Sequence, residues 1–230
     1  RVITQSQEIR TLPGRLNDVL VFNSNSPEVI HHDGILLSTF PQSGKQFPNA
    51  HLNQPLQGRF DIFTHHIARP SSSKRPFYQG LLIHNPTSKP IIVRVLQAAS
   101  YLNSTDAPFI ELPPLVEDPV GRFYSGPGSR LTSDILRRRN QPQFPNQIMI
   151  GPHQSQMLFT LLIPNRSARS TLMRVDSSGP VYLANMALSA VVETPKHPKP
   201  KPQDRDRHIT PSALLRPPTI EEWKKVLIKG

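Results

Sequence analysis

Residues 80–102 read GLLIHNPTSKPIIVRVLQAASYL. Two apolar runs, 81–83 and 91–97, flank the turn-forming stretch Asn85-Pro86-Thr87-Ser88-Lys89-Pro90. Proline lacks an N–H and clashes with the preceding turn, so no helix runs through this segment. Ile91, Val93 and Val95 fall on one face of an extended chain, with Ile92, Arg94 and Leu96 on the other. That period of two is a strand signature. The stretch is expected to form an antiparallel hairpin whose loop is longer than the tight two-residue type. Apolar groups on both faces place its strands centrally in their sheet.

The same layout recurs on the C-terminal side. Residues 147–150 and 156–163 flank the turn signal GPHQS, and 170–175 and 181–190 flank DSSGP. On the N-terminal side, DVLVF (18–22), residues 28–30 and ILLSTF (35–40) read as strands. GRFDIFTHHI (58–67) alternates with period two, which puts His65 and His66 on opposite faces. Short strands with turn signals between them point to an all-β, antiparallel β-sandwich, jelly-roll-like, over residues 1–193. Residues 1–10 are expected to form a leading strand or arm, and Leu12-Pro13-Gly14 a turn.

Residues 101–146 interrupt this rhythm as an irregular insertion with seven prolines. One short helix is expected in it, at 133–139, capped by Ser133 and closed by Arg137-Arg138-Arg139, which suits the helix dipole. Gly126-Pro127-Gly128 reads as a turn. Residues 194–211 (TPKHPKPKPQDRDRHITP) are expected to be an extended, charged linker. In 212–230, Thr219 and Glu222 have capping-box spacing, and Ile220, Trp223, Val226 and Leu227 share one helical face. An amphipathic helix is expected there, offering its Trp223 face to a second domain or a protein partner.

Composition narrows the function. The 230 residues hold 26 prolines and no cysteine, which removes disulfides, thiolate catalysis and thiolate-bound zinc. No run approaches the ~20 apolar residues of a membrane helix. The net charge of +11 favours a polyanionic partner. Without a nucleic-acid module signature, nucleic acid is not the expected one.

Several segments together, among them LPGRLNDVLVFNSNSPEVI, HLNQPLQGRFDIFTHH, DAPFIELPPLVEDP and RSTLMRVDSSGPVYLANMA, resemble a family of cyanobacterial proteins catalogued as a domain of unknown function and generally exported. The resemblance implies export to the periplasm, the outer membrane or the cell surface. It also implies that the chain is an amino-terminal portion of a longer protein with a second β-rich half. The first residue is Arg1, which fits a leader removed upstream. The resemblance supplies no catalytic residues.

The candidate chemistry is therefore read from residue types. His31, His32, His51, His65, His66 and His84 crowd the first third, but no H-E-x-x-H spacing occurs. Neither a metal nor a cofactor is expected. Sandwich modules bind glycans with aromatic platforms and planar polar side chains. Tyr101, Phe123 and Tyr124, with His65, Gln97, Asp106, Arg130, Arg137 and Arg138, lie on or beside the insertion and form the candidate ligand site. The expected function is a non-enzymatic envelope or surface protein that binds anionic polysaccharide or assembles with envelope partners. The alternative is a polysaccharide-acting hydrolase or lyase using Asp106 and Glu111.

Overall fold

The structure is a computed structural model and describes residues 17–71, 75–104, 106–193 and 214–230. The arm, the first turn and the 194–211 linker expected from the sequence lie outside the described residues.

The elements in chain order are β1 (Leu20–Ser24), β2 (Val29–Ile30), β3 (Gly34–Ser38), β4 (Leu56–Ala68), β5 (Phe77–His84), β6 (Ile91–Leu102), α1 (Pro127–Leu136), β7 (Gln147–Ile150), β8 (Ser155–Ile163), β9 (Ala168–Ser189), β10 (Val191–Glu193), β11 (Leu214–Arg216) and α2 (Ile220–Lys229). Nine strands form one hydrogen-bonded system, not closed into a barrel. It folds into two layers because the 22-residue β9 belongs to both. In the first layer β9 pairs with β4 and β6 over residues 168–177; in the second it pairs with β5 and β3 over residues 182–189. β7 closes the first layer beside β6, and β8 closes the second beside β5.

The all-β sandwich expected from the sequence is present, and β5 and β6 are central strands. Two features differ. The system is mixed, because β1 and β2 run parallel to β4. The expected hairpins are also absent as such. β5 pairs with β8 and β9, and β6 with β7 and β9, so Asn85–Pro90 carries the chain from one layer to the other. Gly151–Gln154 crosses in the opposite sense between β7 and β8, and the expected Asp176–Pro180 turn is absorbed into β9. Turn chemistry is the same for a hairpin and an arch; only the partner strand distinguishes them.

Asn85 holds two of these arches together. Its fully buried amide donates to the carbonyls of Lys89 (2.7 Å), Ile150 (3.1 Å) and Gly151 (3.0 Å). Its Oδ1 accepts from the Thr87 N–H at 2.9 Å and the Thr87 hydroxyl at 2.8 Å.

The layers share one core. Phe60, Ile62, Val93, Val95, Met173 and Val175 of the first face Leu81, Ile83, Phe159 and Leu183 of the second. A bulge between Val95 and Gln97 resets the alternation of β6, so that Ala98 also faces inward. Beyond this core the interior turns polar. Ser24, Thr64, Thr171 and Ser100 stand in register across four strands, and His66 pairs with Arg169 in the next row. Asn185 of the second layer bridges this belt, with Nδ2 2.9 Å from Ser24 Oγ and 3.1 Å from His66 Nε2, and its Oδ1 accepts from Gln79 at 3.0 Å.

α2 caps the outer face of the second layer. Trp223 is fully buried among Leu82, Ala184, Met186 and Leu227. The Trp223 face, expected to be open to a partner or a second domain, is therefore covered by this chain's own sandwich. The Thr219–Glu222 capping box forms as expected: Thr219 N–H donates to Glu222 Oε2 at 2.7 Å, and Glu222 N–H to Thr219 Oγ1 at 3.3 Å. β10 and β11 pair as a separate two-stranded ribbon beside it.

Candidate binding site on the insertion

The insertion lies on the outer face of the first layer, where Leu131 and Ile135 of α1 pack on Ala99, Tyr101 and Leu172. The helix starts earlier than the sequence suggests. Gly126 is its N-cap and Pro127 its first residue, so the expected Pro-Gly turn is the helix start. Ser129 Oγ, not Ser133, braces the helix start, accepting from the N–H groups of Ser125 at 2.9 Å and Gly126 at 3.3 Å. Arg137 is the C-cap, and Arg138 follows in the left-handed region at φ 58°.

The candidate residues separate into groups. Arg130 is held between two aromatic rings, 4.0 Å from the centroid of Tyr101 and 4.9 Å from that of Tyr124. Its Nη1 donates to the main-chain carbonyl of Asp106. The Tyr101 hydroxyl donates to Asp134 Oδ2 at 2.5 Å, and Asp134 Oδ1 also takes Arg139 at 3.2 Å. Burial, then the bond to Asp134, pushes the Tyr101 hydroxyl pKa up. Tyr101, Asp106, Tyr124 and Arg130 thus meet, with Asp106 contributing its backbone carbonyl.

Phe123 and Arg137 line a separate cleft of about 540 Å³ between the 118–123 loop and the exposed side of α1. Asp118, Ser129, Thr132, Ser133 and Leu136 complete it. Phe123 is 55% exposed and Leu136 68%. Arg137 staples the loop, donating to the carbonyls of Pro119 (3.2 Å) and Asp118 (3.3 Å). Gly121, at φ 68°, leaves the room its guanidinium occupies; a Cβ there would collide with it. The N–H of Arg122 (2.7 Å), then that of Phe123 (3.0 Å), holds the Asp118 carboxyl below the usual carboxylate range.

His65 and Gln97 are not drawn into either group. His65 sits on β4 with Nδ1 2.7 Å from Ser170 Oγ and Nε2 3.4 Å from Glu28. Ser170 separates it in register from Tyr101, roughly 10 Å of sheet. Gln97 is half-buried opposite Arg174 on β9. Arg138 is exposed beyond the helix end. Sequence reasoning did not place Asp118, Ser129 or Asp134 in the site. The Asp-Pro-Val-Gly turn signal at 118–121 was the one local cue to the first of these.

Among the described residues no group of three or more metal-ligating side chains converges. Asp106 and Glu111 are both solvent-exposed, unlike a desolvated general acid. Eighteen Lys and Arg against thirteen Asp and Glu lie in the described residues, leaving +5 there of the +11 in the whole chain. No described helix is long and apolar enough to cross a membrane, which leaves β-barrel spanning unaddressed.

The fold and cleft define a β-sandwich protein with a solvent-open, arginine- and aromatic-lined surface on one long insertion. The chain belongs to the family described as Protein of unknown function (DUF3370), whose match covers residues 7–230. Neither the curated proteins nor the solved structures contain a significant match.

Proposed function

We propose that the protein is a non-enzymatic binding module that takes an anionic polysaccharide or similar envelope component on the insertion face, and that it acts outside the cytoplasm. The observation that carries this reading is the cleft of Phe123, Leu136, Ser129 and Thr132 on an arginine-bearing helix. An exposed ring beside hydroxyls and cations offers a platform for a sugar face and partners for its acidic groups. The Arg130 stack fixes α1 to the sheet, so the cleft wall is pre-positioned. The overall basic charge supports the same class of ligand, and the family resemblance supports export.

The hydrolase or lyase alternative gains nothing from the geometry, since Asp106 and Glu111 lie in the open and Asp118 is held anionic. The test is calorimetric titration with polygalacturonate and with a neutral glucan at low and high salt. Salt-sensitive binding of the acidic polymer alone is expected, weakened about tenfold by Phe123→Ala. Binding that ignores salt, or that survives Phe123→Ala unchanged, refutes the reading.

A further inference from the structure

A second concave feature lies on the opposite outer face, beside α2. Three adjoining cavities of about 230, 310 and 290 Å³ all share Asp33 and form one groove. It starts at the His31-His32-Asp33 turn, which the insertion site leaves unused. It then runs along the Val226–Lys229 side of α2 to Phe47.

The floor is apolar: Ile35, Leu188, Val191 and Val226. The rim is cationic. Lys225 and Lys229 are exposed and four residues apart, hence on one side of the helix. Neither has an acidic partner within ion-pair distance among the described residues. The acids of the groove are engaged. Asp33 Oδ1 accepts from the Ser189 N–H at 2.7 Å and hydroxyl at 2.8 Å, and Glu222 is bidentate to Arg216 at 2.7 and 2.8 Å. An apolar trough whose helix-side rim carries two lysines without ion-pair partners suits a ligand that is apolar along its length and anionic at one end.

Main-chain chemistry argues against an extended peptide, which binds by backbone hydrogen bonds to a free strand edge. Here the strand-end groups are already used. Ser189 N–H goes to Asp33, Ala190 N–H to the Pro76 carbonyl at 2.8 Å, and the Ala190 carbonyl to Arg75 at 3.0 Å. The carboxylate of Asp33, inside the groove, favours a singly charged head over a doubly charged one.

We propose that this groove binds a long-chain carboxylate, its acyl chain on the Leu188–Val226 floor and its carboxylate between Lys225 and Lys229. The site is independent of the insertion cleft. The test is isothermal titration of the full chain with sodium dodecanoate below its micelle concentration, with dodecanol as the uncharged control. Saturable one-site binding of dodecanoate is expected, at least tenfold tighter than dodecanol. Lys225→Ala/Lys229→Ala, both at exposed positions, should weaken dodecanoate about tenfold and leave dodecanol and the melting temperature unchanged. Leu188→Gln should weaken both ligands, and Phe123→Ala neither. No saturable heat, equal affinity for the two ligands, or a lysine variant that binds dodecanoate like the parent would overturn the proposal.

Discussion

Gly80 opens the decisive stretch, and its replacement by alanine should destabilise the protein although strand propensity says the reverse. Glycine weakens a strand interior, and its backbone here is not in the left-handed region, so Gly80→Ala alone would be expected to help. The structure reverses the sign. A Cβ on residue 80 would lie 2.6 Å from Trp223 Cε2, 2.7 Å from Cζ2 and 2.9 Å from the Met157 methyl. The indole can yield only outward together with α2, since Leu82, Ala184 and Met186 pack around it. Overfilling such a site costs roughly 1–3 kcal/mol. Full ejection of the ring would expose up to ~250 Å² and cost up to about 6 kcal/mol, so partial withdrawal with lifting of α2 is the cheaper response. Trp223 is the sole tryptophan, so its emission reports the seat directly. Gly80→Ala should lower the urea midpoint by the equivalent of about 2 kcal/mol and shift the emission to longer wavelength. In a Trp223→Leu background the same substitution should cost less than about 0.5 kcal/mol, because the rigid ring is gone and only the flexible end of Met157 remains to give way. An unchanged midpoint and emission, or equal cost in both backgrounds, would refute the seat.

Asn85→Asp keeps the shape but replaces a donating amide with a carboxylate facing three carbonyls. A loss of at least about 3 kcal/mol is expected in chemical denaturation, with Asn85→Ala closer to 2. His66 is held neutral at a pKa of about 4, chiefly by burial, against the donation of its Nδ1–H to the Pro27 carbonyl at 2.8 Å. The unfolded chain takes the proton first, so stability is full above pH 6.5 and falls between 6.5 and about 4, by about 3 kcal/mol from this group. Buried His51 and half-buried His84, whose pKa values are also lowered, add to the fall, and His66→Gln should flatten the pH profile of the urea midpoint. Tyr101→Phe removes the bond to Asp134 and should lower stability by about 1 kcal/mol. It should also loosen α1, read as faster amide exchange at Leu131 and Ile135.

The local code was legible where a single period or cap decides the structure. Strand alternation in 58–67 and 91–97 and the Thr219–Glu222 box all form where the sequence places them. α1 was misplaced because Gly126-Pro127-Gly128 carries the same signal for a turn and for a helix start, and only packing of Leu131 and Ile135 on the sheet selects the helix. The candidate site was half legible: residue chemistry nominated Arg130, Tyr101 and Tyr124, but not the company they keep. His65 dropped out because Ser170 of β9 stands between it and Tyr101, two sheet spacings that residue type does not report.

From the sequence alone came the extended segments, their turn points, the basic surface and the absence of cysteine chemistry, because each follows from local sterics or from counting charges. Only the tertiary structure decided which strands pair, that the turns are arches between layers, that β9 serves both layers, and that Trp223 is spent on its own sandwich. Those outcomes depend on contacts between residues distant along the chain, such as Gly80 with Trp223 and Asn185 with Ser24. Their free energy exists only once both partners have been brought together, so no short window of sequence carries it.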